Sequence, residues 1–293
     1  MHELVLGSPL FGRLRTGPTV LLPAEASHPV LLEMLRLVDP GACSDGDDIM
    51  VTGVRVTASV ELAEPELRKL NIDGEKRLWA HRIVSDGPLP VNGFDRGLAE
   101  GIAYRLGGWS MTRGLMSDPA EDDHRGPIAY LGEMPSPEEM ASLLRRHLRP
   151  ADSVKQSWQQ AGPAELDDGV VHLIREDLQM YGGADILVSA VHENEIPPAV
   201  YAVMPYATQL VKVDVRPFED ADGTTLLSGD EAMLQTGAVA LAIVESFRGQ
   251  ATDGWGFQIS EPGDLLPGGY RDPAEDPDLT EEPDITDDSA AEV

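Results

Sequence analysis

The apolar residues of this chain recur with two periods. Val54, Val56, Ala58, Val60 and Leu62 alternate with Arg55, Thr57, Ser59 and Glu61, which predicts one half-buried strand from 54 to 62. Val30, Leu31, Met34, Leu35 and Val38 instead follow helical spacing. They predict a helix that opens at Ser27-His28-Pro29, where a serine cap precedes a first-turn proline, and stops at Asp39-Pro40-Gly41. The most apolar helical run lies from Met233 to Phe247, entered through a capping-box pattern at Ser228 and Glu231.

The same signals place the remaining elements. Short strands are expected at Glu3–Leu6, Thr19–Leu22, Leu78–Val84, Ile128–Leu131, Val170–Arg175, Asp185–Val191 and Leu210–Arg216. Helices are expected after Glu64-Pro65-Glu66, from Gly97 to Leu106 with Asp95 as cap, from Ser136 to about Leu148, and from Pro197-Pro198 to Met204. Extended chain closes each half at Trp109-Ser110-Met111 and around Gly254-Trp255-Gly256. Residues 44–48 read as an acidic loop, and 117–127 as a polar linker.

In this order the two halves echo each other. Pro29 matches Pro137, Pro65 matches Pro198, Leu98 and Gly101 match Leu234 and Gly237, and Trp109 matches Trp255. Each half reads strand–helix–strand–short helix–strand–helix–strand, the order of a ferredoxin-like βαββαβ unit with an inserted helix. The expected fold is therefore α+β. Two related βαββαβ (ferredoxin-like) halves, 1–116 and 128–267, form one pseudo-symmetric body, with an insertion near 151–183. The two tryptophans read as repeated core anchors, and the two helix glycines as sites of close backbone packing.

Charge alters this picture at one end. The chain carries 22 basic and 51 acidic residues, a net of −29. Residues 271–293 contribute ten acidic residues and one basic one. With their prolines and no apolar period, residues 268–293 are expected to form a disordered acidic tail. Such a charge repels nucleic-acid phosphates and anionic membranes, so neither is expected as a partner. The longest strictly apolar stretch, Ala238 to Val244, is far below the ~20 residues of a bilayer helix. No signal-peptide pattern opens the chain, and the single cysteine, Cys43, fits a reduced, cytoplasmic setting.

Candidate chemistry is sparse. The phosphate-loop, dinucleotide, nucleophile-elbow, paired-cysteine and metalloprotease patterns are all missing. No cofactor is expected. The best polar constellation is His192, Glu193 and Glu195 at the exit of one strand, with His172 and Glu176 on one face of the preceding strand. If those strands pair, imidazoles and carboxylates can gather at a sheet end, as a divalent metal or acid–base hydrolysis requires. The plainer reading makes them solvated strand-exit residues. Glu121-Asp122-Asp123-His124 reads as linker, and Asp45, Asp47 and Asp48 match a calcium loop at three positions only. His81 reads as a partly buried strand histidine; His28 and His147 sit near helix ends.

The sequence thus favours a non-catalytic cytoplasmic protein that binds or regulates a protein partner, a basic one if the acidity is a docking surface. A metal-dependent or acid–base hydrolase built on His172, Glu176, His192, Glu193 and Glu195 is the alternative. DNA mimicry is a third reading. Function is expected where the halves differ: at 151–183, at His192–Glu195, and in the tail.

Overall fold

A computed structural model describes residues 14, 17–85, 93–121, 126–133, 135–136, 139–140, 142–143, 170–173, 184–191, 196–215 and 229–270; it gives the backbone alone at 170–173, 184–189 and 214–215. The first half runs β1 (Thr19–Leu22), α1 (His28–Arg36), β2 (Cys43–Asp45), β3 (Asp48–Val51), β4 (Val54–Val56), β5 (Val60–Ala63), α2 (Glu64–Lys69), β6 (Arg77–Ser85), α3 (Gly93–Arg105), β7 (Trp109–Thr112) and β8 (Leu115–Ser117). The second runs β9 (Ile128–Leu131), β10 (Val170–Leu173), β11 (Ala184–Ala190), α4 (Pro198–Val203), β12 (Gln209–Val215), α5 (Gly229–Phe247) and β13 (Gln250–Thr252), then a 3-10 turn at Pro262–Leu265.

The architecture is mixed α+β with two antiparallel sheets. The first has the order β2-β3-β4-β6-β1-β7-β8, with β5 also on β6; the second has the order β10-β11-β12-β9-β13. In the first half, α1 and α3 cover one sheet face. Leu31, Met34, Leu35, Leu98 and Ile102 pack there on Val20, Leu22 and Ile83. The opposite face buries Leu21, Leu78 and Met111 under Leu67 of α2. The second half repeats the division. Val239, Ala240 and Ile243 of α5 pack on Ala129, Leu131, Val211 and Val213, while Val200 and Met204 lie with Tyr130 in a separate cluster.

Local signals explain the helix ends. The Ser27 hydroxyl accepts from the Val30 N–H, with proline in the first turn. Ser136 and Glu139 form a reciprocal capping box: the Glu139 carboxylate accepts from the Ser136 N–H (3.0 Å) and hydroxyl (2.6 Å), and the Glu139 N–H donates to the Ser136 hydroxyl oxygen (3.3 Å). The Ser136 hydroxyl and N–H hold the Glu139 carboxyl below its ordinary pKa. Met140 and Leu143, which follow, are buried. Ser228 lies outside the described residues, as does the expected strand at Glu3–Leu6.

Four expectations are corrected. First, Val54–Leu62 is not one strand. It breaks at Thr57–Ser59, and the register against β6 slips by one residue, from Val56 opposite Ile83 to Val60 opposite Ala80. A one-residue slip turns side chains to the other face. Val56 therefore enters the α1/α3 core, while Leu62 enters the core under α2. Second, the acidic loop at 44–48 is a hairpin, β2–β3, and two more hairpins follow. Thr52-Gly53 (φ 45° and 75°) joins β3 to β4, and Arg113-Gly114 (φ 55° and 75°) joins β7 to β8. Positive φ at both positions suits the right-handed twist of tight hairpins. Third, α3 starts at Gly93, so Asp95 lies inside its first turn and is buried.

The fourth concerns the repeat. Trp109 opens β7 opposite Leu21, but Trp255 lies in a turn beyond β13. The residue opposite Tyr130 at the start of β13 is Gln250. The helix ends agree. After α3, Gly107 has φ 64° and the Gly108 N–H donates to the Ala103 carbonyl; after α5, Arg248 has φ 55° and the Gly249 N–H donates to the Val244 carbonyl. Both are left-handed helix stops. Gly101 and Gly237 thus do not occupy equivalent positions in their helices.

Candidate functional site

The segment from Asp253 to Tyr270 leaves β13 and runs between α3 and α5 as a strap. Two helix glycines make room for it. A Cβ at Gly101 would overlap the Phe257 ring and lie 3.0 Å from Trp255 Cβ. One at Gly237 would lie 2.9 Å from Leu265 Cδ1 and 3.0 Å from Pro262 Cα. Phe257 is fully buried within the core of the first half, although it belongs to the second by sequence.

Asp253 anchors the strap. Its Oδ2 accepts from Arg105 Nε (3.1 Å) and Nη2 (2.9 Å), and its Oδ1 accepts from the N–H groups of Trp255 and Phe257, both at 2.9 Å. The side chains of Arg105 and Asp253 are 1% and 3% exposed. The guanidinium also stacks on Phe257 at 4.9 Å. Burial pushes the Asp253 carboxyl up from its ordinary pKa, while the Arg105 charge and the two N–H donors oppose that shift. Tyr104 donates its hydroxyl to the Leu265 carbonyl at 2.6 Å, and burial, with the Asp253 charge, raises its pKa to about 12. The N–H groups of Gly268 and Tyr270 donate to the carbonyls of Tyr104 and Arg105. Residues 268–270, which the sequence places in the tail, are therefore bound into the fold, and residues 271–293 lie outside the described residues.

A second junction lies at the end of α1, where the carbonyls of Leu37 and Val38 accept from the N–H groups of Gln258 and Ala199. These contacts close the body. The enclosed ion pair joins the end of α3 to the start of the strap.

The sequence-predicted site residues do not form a described cluster. Glu176, His192, Glu193 and Glu195 lie outside the described residues, as do His147 and residues 122–124. His172 is placed by backbone alone, opposite Leu187 within the β10–β11 pair. That pair is antiparallel, so the chain leaves β10 at Leu173, beside Ile186, and leaves β11 at Ala190, beyond Ser189 and Val170. The two strand ends, Leu173 and Ala190, are at opposite ends of the pair. Among the described residues no three His, Cys, Asp or Glu side chains gather where they could hold a metal ion.

Other candidates have structural partners. Asp45 and Asp48 both bind Arg55, and Asp48 also accepts from the Ala58 N–H at 2.8 Å, beside the break between β4 and β5. His28 Nε2 lies 2.8 Å from the Ser44 hydroxyl. His81 is buried, with Nδ1 3.0 Å from the Thr57 carbonyl and Nε2 without a partner among the described residues. Burial lowers its pKa against the opposing effect of the Thr57 carbonyl. Among the described residues, no helix is long and apolar enough to cross a membrane.

Sequence reasoning missed the surface of α4 and the turn after it. Val200, Met204 and Ala207 are buried against Tyr130 and Ile196. Around these anchors Tyr201, Val203 and Tyr206 stand 44%, 55% and 65% exposed. The signal was present: from Ile196 to Val211 the sequence holds no Asp, Glu, Lys, Arg or His. Charge depletion with exposed tyrosine marks contact surfaces in proteins. Comparison with family models, with curated proteins and with solved structures finds no match for this chain.

Proposed function

We propose that this chain is a non-catalytic cytoplasmic scaffold that binds or regulates a protein partner, built from two duplicated ferredoxin-like halves. Several relationships support the duplication. The orders β4-β6-β1-β7 and β11-β12-β9-β13 correspond strand for strand along the chain. α2 and α4 both fall between the second and third strands of their units. A Cβ at Gly108 would run into the Leu21 carbonyl, and one at Gly249 into the Tyr130 carbonyl. Leu21 and Tyr130 are the paired partners of Trp109 and Gln250 in the two sheets.

The binding reading is carried by the α4 surface. Tyr201 and Val203 on α4, and Tyr206 in the turn after it, are exposed above a buried face that holds the segment in place. Tyrosines supply large contact area with little conformational entropy to lose. Affinity capture by the full chain, by a Tyr201→Ser/Tyr206→Ser variant and by a chain ending at residue 270 tests this reading. A specific protein held by the full chain and lost by the double variant supports it. Equal capture by both, or turnover of a small molecule by the purified chain, overturns it.

A further inference from the structure

The α4 surface lies on a protein whose net charge is −29, and that charge restricts what can cover it. A second copy brings the same charge, so copies approaching face to face repel each other. Residues 271–293 bring ten acidic residues and one basic one, and gain nothing from tyrosine faces that attract cations. A basic segment gains twice. The field of the whole chain draws it in, and an ammonium or guanidinium settles over a tyrosine ring. The stretch that carries the patch, from Ile196 to Val211, holds no lysine, arginine or histidine, and exposed Lys212 follows it on the strand face of Leu210. Its described rim is acidic at one point, because Glu133 is exposed beside Gly132, whose Cβ would lie 3.3 Å from the Tyr206 ring.

We infer that the surface formed by Tyr201, Val203 and Tyr206 takes a basic polypeptide segment, with a lysine or arginine over a tyrosine ring and a neighbouring aliphatic or aromatic residue against Val203. This rests on the reading of α4 as the binding surface and adds the chemical class of the partner. The buried side chains Val200, Met204 and Ala207 fix the platform, so the tyrosines need little ordering on contact.

The probe is a random displayed peptide library, selected on the full chain and counter-selected on Tyr201→Ser/Tyr206→Ser. The expected result is enrichment of peptides with net positive charge and at least one aliphatic or aromatic residue. Their affinity should fall about tenfold or more on the double variant and fall again as salt rises. Val203→Lys should abolish their binding, whereas Val203→Asp, which loses the apolar contact but adds a charge that attracts the segment, should weaken it less than Val203→Lys. All three variants change exposed side chains, and an unchanged urea midpoint verifies that each folds. Enrichment of neutral or acidic peptides that depend on the tyrosines overturns the inference but leaves α4 as the binding surface. Basic peptides that bind the double variant equally, or no enrichment over it, overturn both.

Discussion

Arg105 and Asp253, 148 residues apart, meet as a buried pair in which two guanidinium nitrogens share one carboxylate oxygen. Neither residue is remarkable by its local sequence. Arg105 ends α3, and Asp253 follows the last strand. Together they set where the strap leaves the second half and enters the core of the first. Removing one partner leaves the other charge buried and alone. Arg105→Met is expected to cost about 3–5 kcal/mol, and Arg105→Met/Asp253→Asn less than that, because Oδ1 of the amide still accepts from Trp255 and Phe257. Urea unfolding midpoints of the native protein, of Arg105→Met, of Asp253→Asn and of the double variant give the comparison. Additive losses would show that the two side chains do not act as a pair.

The helix glycines predict opposite signs for one kind of substitution. Gly97 has only Trp255 Cδ1 near, at 3.8 Å from a Cβ, so Gly97→Ala meets ordinary contact. Alanine then stabilises α3 by about 0.5–1 kcal/mol through helix propensity. Gly101→Ala and Gly237→Ala drive a methyl into the strap and should destabilise by about 1–3 kcal/mol. Thermal unfolding of the three variants separates them. A stabilising Gly101→Ala would mean that Phe257 does not sit where α3 leaves room for it.

His81 predicts an acid-side loss of stability. Burial lowers its folded pKa below the ordinary 6.5, so the folded protein prefers the neutral ring, while the unfolded chain takes up its proton nearer 6.5. The contribution is complete above that value and is lost as the pH falls through the folded value. Between about pH 7.5 and 5.5 the urea midpoint of the native protein should drop more steeply than that of His81→Gln. Parallel profiles would contradict this.

Tyr104 predicts the converse at alkaline pH. Its folded pKa is raised from 10 to about 12, so its contribution is complete below 10 and is lost as the pH rises through about 12. Tyr104→Phe also leaves the Leu265 carbonyl without this donor, at a cost of about 1–3 kcal/mol. The variant should be less stable at neutral pH and lose less on going from pH 9 to 11 (a window of about two pH units). An unchanged alkaline slope would show that the phenol does not titrate with folding.

Short-range physics was legible in the residues. Ser27 with Pro29, Ser136 with Glu139, Pro197 with Pro198, and the glycines after α3 all act within one turn of themselves, and each of these ends stands where local rules put it. Close packing at Gly101 and Gly237 was legible as well, though not the object packed there. The matching of Trp109 to Trp255 failed because identity of residue type stood in for position. The hairpins at Thr52-Gly53 and Arg113-Gly114 carried a local signal, a residue followed by glycine between extended segments, which the acidic composition around them obscured.

The sequence by itself determined the α+β class, the main helices and several of their ends, because capping, turn chemistry and apolar period depend on neighbours in the chain. Tertiary structure alone decided three things. The register slip at Thr57–Ser59 sends Val56 and Leu62 to different cores, because pairing with β6 outranks alternation. The strap seats Phe257 in the core of the other half, because Gly101 leaves a hollow whose occupant no local pattern names. The surface of α4 keeps Tyr201, Val203 and Tyr206 outside, because Val200, Met204 and Ala207 already fill the space beneath.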